Sequence, residues 1–427
     1  MAVVMTGESA KVQRTYLTLI LFTTLSASLI WGINTLFLLD AGLNNLEAFA
    51  ANAFFTAGMM VFEVPTGVVA DLRGRRLSFL LGSATLTLST LAYVLMWQLE
   101  APFWAWAAVS VVIGLGFTFF SGAIEAWLVD ALRFTGYDGP LDPVFAKGQA
   151  IEGVAMLSGS VLGGIIAQFS SLGVPFVVRS ALLGVTFVLA LLMMHDLGFT
   201  PVRGERPGPE MKRILNDSLH YGLGRPAVRW VMLTSPFIGG VGIYAFYAMQ
   251  PYLLELYGDE GAYGIAGLAA AIVAGAQIAG GLSAPRLRLL FRRRTSLMLV
   301  CAVISVVALL LVSLVASFWF VIAFLVVWSL AFSVTAPVRQ AYLNDLIPSQ
   351  QRATVLSFDS LLGSAGGVVV QPALGRVADV SGYALTFGLS AAVQACAIPF
   401  LALARRTGVA ADIVTDGVAA PVEEDRA

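Results

Sequence analysis

The sequence contains few of the residues that build metal centres and disulfide frameworks. Its two cysteines, Cys301 and Cys396, both lie inside apolar runs, which excludes a disulfide framework and a thiolate metal site. The two histidines, His195 and His220, lie in one polar connector, and no spacing of histidine, cysteine and carboxylates resembles a metal site. We therefore expect neither a bound metal nor a cofactor.

Charged residues are also scarce. They make up 12% of the chain and leave a net charge of -1, and the basic ones lie in short loops without interleaved aromatics, which argues against a nucleic-acid partner. No phosphate-binding loop of the Gly-x4-Gly-Lys-Ser/Thr type occurs, so ATP-driven transport of that type is excluded. No grouping of nucleophile, base and orienting residue is visible, so we expect no enzyme and nominate no catalytic residue.

Apolar sequence dominates instead. Hydrophobic residues account for 58% of the 427 residues, and the mean hydropathy is +0.84, which is too apolar for a soluble chain. A spanning helix needs about 20 mostly apolar residues. The chain offers twelve such runs, which predict an all-α polytopic membrane protein with these spans: 15–39, 46–70, 77–98, 103–129, 148–171, 174–194, 229–254, 262–284, 297–316, 319–343, 354–378 and 384–404.

Basic residues orient these spans. Of the 25 Lys and Arg residues, all but Arg179, Arg339 and Arg376 fall in the termini or in alternate loops, which the positive-inside rule assigns to the cytoplasm. An even number of spans places both termini on that side. We expect a multi-pass protein of a bacterial inner membrane, in contact with lipids.

The longest polar break divides the chain into two halves. The predicted organisation is a cytoplasmic tail (1–14) without a cleavable signal pattern, a six-helix bundle (15–194), a cytoplasmic linker (195–228), a second six-helix bundle (229–404) and an acidic cytoplasmic tail (405–427). Apolar residues at helical spacing after Met211 predict a short amphipathic helix in the linker, although a plain solvated tether is the alternative.

The two halves resemble each other in sequence. Ala126-Trp-Leu-Val-Asp130 at the end of the fourth span recurs as Ala341-Tyr-Leu-Asn-Asp345 at the end of the tenth, and Glu63 to Gly67 aligns with Gln277 to Gly281. Such a duplication, with a substrate path between the halves, is typical of transporters in which one half rocks against the other.

The turn after the second span carries the most specific motif. It reads Gly67-x-x-x-Asp71-x-Arg73-Gly74-Arg75-Arg76, and in a chain of twelve spans it resembles the signature loop of the major facilitator superfamily. The resemblance covers about residues 15–405. It implies two six-helix pseudo-repeats and secondary transport of a small-molecule substrate, and we expect a monomer.

A second motif concerns the direction of transport. Gly159-Ser-Val-Leu-Gly163-Gly164 resembles the family's antiporter pattern G-P-x-x-G-G, with serine in place of proline, and implies efflux in exchange for protons. Glu63-Val-Pro-Thr-Gly67 and Glu125-Ala-Trp-Leu-Val-Asp130 resemble the drug and macrolide exporters. The alternatives are a proton-coupled symporter importing a small metabolite, and a lipid flippase or nontransporting receptor on the same fold.

The family pattern also implies a gating latch. Glu63, Gly67 and Asp71 share one helix face; Gly67 admits the eleventh helix, and Asp71 faces the positive end of that helix near residues 352–357. Arg75 or Arg76 is expected to pair with Asp130, holding the outward-open state. Pro285 stands where the second half would need its own aspartate, so the gate is expected to be asymmetric, unless the turn is only a topology anchor.

Five charged residues lie within the spans, ~7 to 12 Å inside the cytoplasmic boundary at 1.5 Å per residue. Because charge is costly in a membrane, such residues usually face a wet cavity or pair with one another. The proton-coupling candidates are Glu125 and Glu152, then Asp359 and Glu63, with Arg339 competing with the proton for a carboxylate. Permanent structural ion pairs are the alternative. Near the outer boundary, a local pair between Arg376 and Asp379 is expected.

Polar and aromatic side chains near the middle of the spans are candidates for the substrate cavity. Few fixed polar groups among aromatic walls suit a lipophilic or amphiphilic solute, although ordinary helix packing is the alternative for each aromatic residue. The candidates are Trp31, Asn34, Asn52, Phe55, Tyr244, Tyr247, Gln250 and Trp328.

Overall fold

The computed structural model describes residues 7–199, 222–348 and 351–413, and these residues are almost entirely helical. The predicted all-α class is confirmed. The helices are Gly7–Ser28, Asn34–Asp40, Asn45–Arg73, Arg75–Gln98, Phe103–Thr118, Ala123–Phe134, Asp142–Phe169, Gly173–Met193, Pro226–Met232, Ser235–Tyr257, Tyr263–Arg288, Arg294–Leu314, Phe318–Leu346, Arg352–Ala395 and Ala397–Arg406. The predicted amphipathic helix after Met211 lies outside the described residues.

Ten helical stretches among the described residues are long and apolar enough to cross a membrane. Two features raise the number of crossings to the predicted twelve. The first span is broken at residues 29–33 into two helices, and the last stretch, 53 residues from Thr354 to Arg406, reverses at Gly382, whose φ is +77°. A continuous helix of that length would measure ~80 Å, far more than a bilayer.

Each half has its own apolar core. In the first half Phe37 packs against Phe176, with ring centroids 4.0 Å apart, and in the second Tyr252 packs against Phe387 at 5.3 Å. The largest interfaces between the halves join the second span to the eleventh and the fifth to the eighth. Side chains also cross between the cores: Phe49 of the first half packs into the second-half core, and Leu254 and Ala266 of the second half pack into the first-half core.

The halves meet at one end and diverge at the other. We call the end with the arginine-rich turns 73–76 and 286–294 the basic end, and the opposite end, with Asp40, Glu47, Glu100, Asp259 and Glu260, the acidic end. Near the acidic end the interface is tight: a Cβ added at Gly267 in the eighth span would lie 2.5 Å from the carbonyl oxygen of Ser160 in the fifth. Near the basic end, Gly67 and Gly281 have no atom within 4 Å of such a Cβ. The cleft between the halves therefore opens at the basic end.

Candidate substrate cavity and gates

A cavity of about 70 Å³ lies beside the break in the first span. Helix breaks within a membrane leave backbone groups that need other partners, and they are tolerated where they line a cavity. All but one of the lining residues come from the first half, and Tyr247 of the seventh span supplies the exception. The lining residues are Ile30, Trp31, Asn34, Asn52, Phe55, Thr90, Tyr93, Ile113, Phe117, Phe176, Arg179 and Tyr247.

The structure brings five of the predicted cavity residues together on this wall: Trp31, Asn34, Asn52, Phe55 and Tyr247. The amide nitrogen of Asn34 donates to Asn52 Oδ1 at 3.0 Å, so the first and second spans are joined at the cavity. Trp31 meets Phe246 of the other half edge-on, with ring centroids 6.0 Å apart. The cavity therefore adjoins the interface between the halves.

The other three predicted cavity residues lie elsewhere. The Gln250 side chain accepts from Thr35 N at 2.9 Å and donates to the Trp31 carbonyl at 2.7 Å, so it satisfies backbone groups that the broken helix leaves free. Tyr244 is fully buried against Phe49, and Trp328 donates to Gln394 inside the second half. All three side chains are buried in contacts between helices, which is the packing role given above as the alternative.

Arg179 is a charged cavity residue that is not among the candidates named from the sequence. It lies on the sixth span, is 4% exposed and reaches the cavity with its guanidinium 5.7 Å from the Phe117 ring centroid. One sequence signal pointed to it: no acidic residue lies within one turn on its own helix, so a local ion pair was never available.

The acidic end is closed by a contact across the two halves. Asp379 of the eleventh span accepts from the backbone N–H of Asn45 at 2.8 Å and of Leu46 at 3.0 Å, at the start of the second span. The Tyr383 hydroxyl donates to Asn45 Oδ1. The predicted local pair of Arg376 with Asp379 is wrong, because the carboxylate instead binds a helix N-terminus, whose free N–H groups and positive dipole attract it.

The remaining N–H groups at this helix start are satisfied locally. Asn44 is the N-cap and accepts from Glu47 N at 2.9 Å, while the Glu47 side chain accepts from Asn44 N at 3.1 Å. The capping box is thus intact without Asp379. The Asp379 contact is therefore not needed to start the second span. It can break while the first turn of that helix stays intact.

At the basic end the predicted latch residues are apart from the eleventh helix. Asp71 binds Arg75 within its own turn at 2.6 Å. Arg76 donates to the Leu191 carbonyl at 2.7 Å, and its backbone N–H donates to Asp196 at 2.9 Å. Neither arginine makes the predicted pair with Asp130, which lies in the same half: Arg75 binds Asp71, and Arg76 binds the Leu191 carbonyl and Asp196.

The charged residues of the first half lie along the inner part of the cleft. Glu125 is half-buried and close enough to Glu152 and Tyr16 for electrostatic interaction. Glu63 is exposed and accepts from Ser121 Oγ at 2.7 Å. Among the described residues, none of these three carboxylates forms an ion pair.

The charged residues of the second half are paired. Arg339 binds Asp359, Ser235 Oγ and the Val231 carbonyl, and Ser235 also donates to Asp359 at 2.7 Å. The expected layer of five interacting charges is therefore split between the halves. Arg339 lies with Asp359 and away from Glu125 and Glu152.

The glycine motif of the fifth span is a site of close approach. A Cβ at Gly163 would overlap the Leu29 carbonyl at the break in the first span, and one at Gly164 would lie 2.5 Å from the Tyr263 carbonyl of the second half. Ser160, which replaces the proline of the antiporter pattern, is buried inside the helix Asp142–Phe169. The motif lets three spans meet next to the cavity.

The chain matches the model of one protein family. A family model described as Major Facilitator Superfamily matches residues 16–292 and 262–421. A search of curated protein sequences finds no match.

Several solved structures share this fold at low sequence identity. The nucleoside transporter NupG aligns with a TM-score of 0.74 at 10% identity, over 93% of this chain and 99% of that chain. A bacterial homologue of the human lysosomal transporter Spinster, inward-facing and occupied, gives 0.73 at 15% over 97% and 100%. A POT family transporter in complex with 5-aminolevulinic acid gives 0.68 at 14% over 91% and 94%.

Proposed function

Because the chain belongs to the major facilitator superfamily, we propose that it is a secondary active transporter that exports amphiphilic small molecules in exchange for protons. The observation that carries this proposal is the shape of the interface: the halves touch at the acidic end and leave a cleft at the basic end. With the basic end in the cytoplasm, as the positive-inside rule assigns it, this is the inward-open state of an alternating-access cycle.

The proton is carried by Glu125 and Glu152. Both have no cationic partner among the described residues, and they lie close enough to each other for electrostatic interaction. Asp359 is less suited to the task, because its carboxylate is already bound by Arg339 and Ser235. Export is supported by the likeness of Gly159 to Gly164 to the antiporter pattern.

The latch at the basic end closes in the opposite state. Gly67 has open space beside it, and the Asp71–Arg75 pair is a surface contact of small energy that other contacts can replace. When the cleft closes there, the eleventh helix packs at Gly67 and its N-terminus takes Asp71 as a cap.

The test uses proteoliposomes with an imposed pH gradient and a panel of amphiphilic solutes. We expect solute movement coupled to proton movement in the wild type, its loss in Glu125→Gln and Glu152→Gln, and preserved solute exchange at equal pH in both variants. Glu260→Gln, at an exposed carboxylate of the acidic end, is the matched control and should behave as wild type. Full proton-driven transport by both variants would refute the assignment, and absence of any flux in the wild type would favour a flippase or receptor.

A further inference from the structure

A buried guanidinium in the cavity has no counter-ion among the residues that the structure describes. Arg179 is 4% exposed, and among the described residues it forms neither an ion pair nor a hydrogen bond. Its guanidinium carbon lies 5.7 Å from the centroid of the Phe117 ring, a cation–π contact that does not neutralise the charge. A guanidinium stays protonated, and taking it out of water is costly unless a negative group compensates.

Two more polar groups on the same wall lack a partner. The Asn52 amide nitrogen and the Thr90 hydroxyl are buried without a hydrogen bond among the described residues, as is Arg179 Nε. Asn52 uses its oxygen to accept from Asn34, so only its two N–H donors remain. Buried polar groups are normally satisfied, and these three offer mainly donors. The cavity therefore lacks an acceptor-rich, negatively charged group.

The other lining residues indicate what kind of molecule could carry such a negatively charged group. Trp31, Phe55, Phe117 and Phe176 present aromatic surface to the cavity. Its volume of about 70 Å³ holds only a few ligand atoms, roughly the space of five waters at 10–15 Å³ each. A head group fits this volume, whereas an attached apolar body would extend beyond it.

We propose that this cavity binds the carboxylate of an organic anion, so that the cargo is an amphiphilic carboxylate. A carboxylate accepts two parallel hydrogen bonds from a guanidinium and has lone pairs left for Asn52 and Thr90. That the bound anion is transported rests on the proposed function, whereas the anion-binding site does not depend on it. Because the site spans the first half and Tyr247 of the second, occupancy acts on the interface that moves.

The binding test compares three ligands of one shape on the purified full chain in lipid nanodiscs. The probes are hydrocinnamate, its neutral amide and the corresponding ammonium, measured by calorimetry at neutral pH and constant chloride. We expect hydrocinnamate to bind at least about tenfold more tightly than the amide, since hydrogen bonds to charged groups are the stronger ones, and the ammonium not to bind. Equal binding of the acid and the amide by the wild type overturns the proposal.

Three variants locate the effect. Arg179→Gln and Asn52→Asp should each abolish the preference for the acid, the second by placing a carboxylate of the protein beside the intact arginine. Arg376→Gln, an exposed arginine of another span, should keep the preference. If Arg179→Gln fails to fold, the Asn52→Asp variant and the three ligands on the wild type still test the anion-binding proposal. A preference retained in Asn52→Asp, or chloride binding that hydrocinnamate does not displace, contradicts the proposal.

Transport of hydrocinnamate in proteoliposomes tests the proposed transport function separately from the proposed anion-binding site. Selective binding without transport would retain the anion site and refute the proposed function. Transport of the acid and the amide at equal rates would retain the function and refute the anion site.

Discussion

Removal of the Asp379 side chain is the most direct test of the closed acidic end. The carboxylate makes two hydrogen bonds to the start of the second span, at 2.8 and 3.0 Å, and both cross between the halves. Asp379→Ala deletes both acceptors and the charge, but leaves the Asn44–Glu47 capping box in place. The change should therefore alter the balance between conformations more than the stability of either half.

The magnitude follows from the exposure of the site. Intramolecular hydrogen bonds contribute about 0.5–1.5 kcal/mol each, and an exposed charge at a helix N-terminus about 0.3–1 kcal/mol. Water replaces the carboxylate when the contact opens, so we take about 1 kcal/mol for the whole contact. At 1.4 kcal/mol for each factor of ten, the ratio of outward-open to inward-open molecules should rise about fivefold. Asp379→Asn, which keeps one acceptor, should give a smaller rise.

The assay is a distance distribution between spin labels on the two halves at the acidic end. The labels are introduced as Glu100→Cys and Glu260→Cys after both native cysteines have been replaced. The long-distance component should grow in Asp379→Ala and stay at its original size in Arg376→Gln. An unchanged distribution in Asp379→Ala would refute the idea that this contact holds the acidic end closed.

Two further predictions concern the basic end and the buried pair. Asp71→Asn should impair transport while expression stays normal, because it weakens the proposed cap on the eleventh helix; wild-type transport rates by that variant would contradict the latch. Arg339→Gln or Asp359→Asn alone should lower the free energy of unfolding by about 3–5 kcal/mol, since each leaves a buried charge unpaired. The double variant should lose much less stability than the two single losses added together. Thermal unfolding in detergent measures these losses, and additive losses would mean that the two residues act independently.

The spans could be predicted from the sequence because membrane insertion depends on local composition. Twelve apolar runs and one arginine-rich turn were enough to place helices such as Arg294–Leu314 within three residues of their ends. The breaks at residues 29–33 and 119–122 could not be predicted, because their backbone groups are satisfied by distant partners such as Gln250.

The contacts between the halves were harder to predict, since helical periodicity says which face is buried and not what covers it. Reasoning within one helix paired Arg376 with Asp379, but a helix N-terminus more than 300 positions away competes better for that carboxylate. The same limit applies to Arg179: the missing local partner was visible, whereas the grouping with Asn52 and Thr90 depends on how three spans pack.

The position of Asp379 has a consequence for the energy difference between the two conformations. It lies near the end of one helix arm and caps the start of the second span, while Asp71 lies near the end of the second span and, in the opposite state, is proposed to cap the start of the eleventh. On that proposal each conformation has one such contact and lacks the other. Two contacts of similar strength would cancel in the free-energy difference between the conformations, so neither would oppose a population shift by a proton or a cargo molecule with differential affinity.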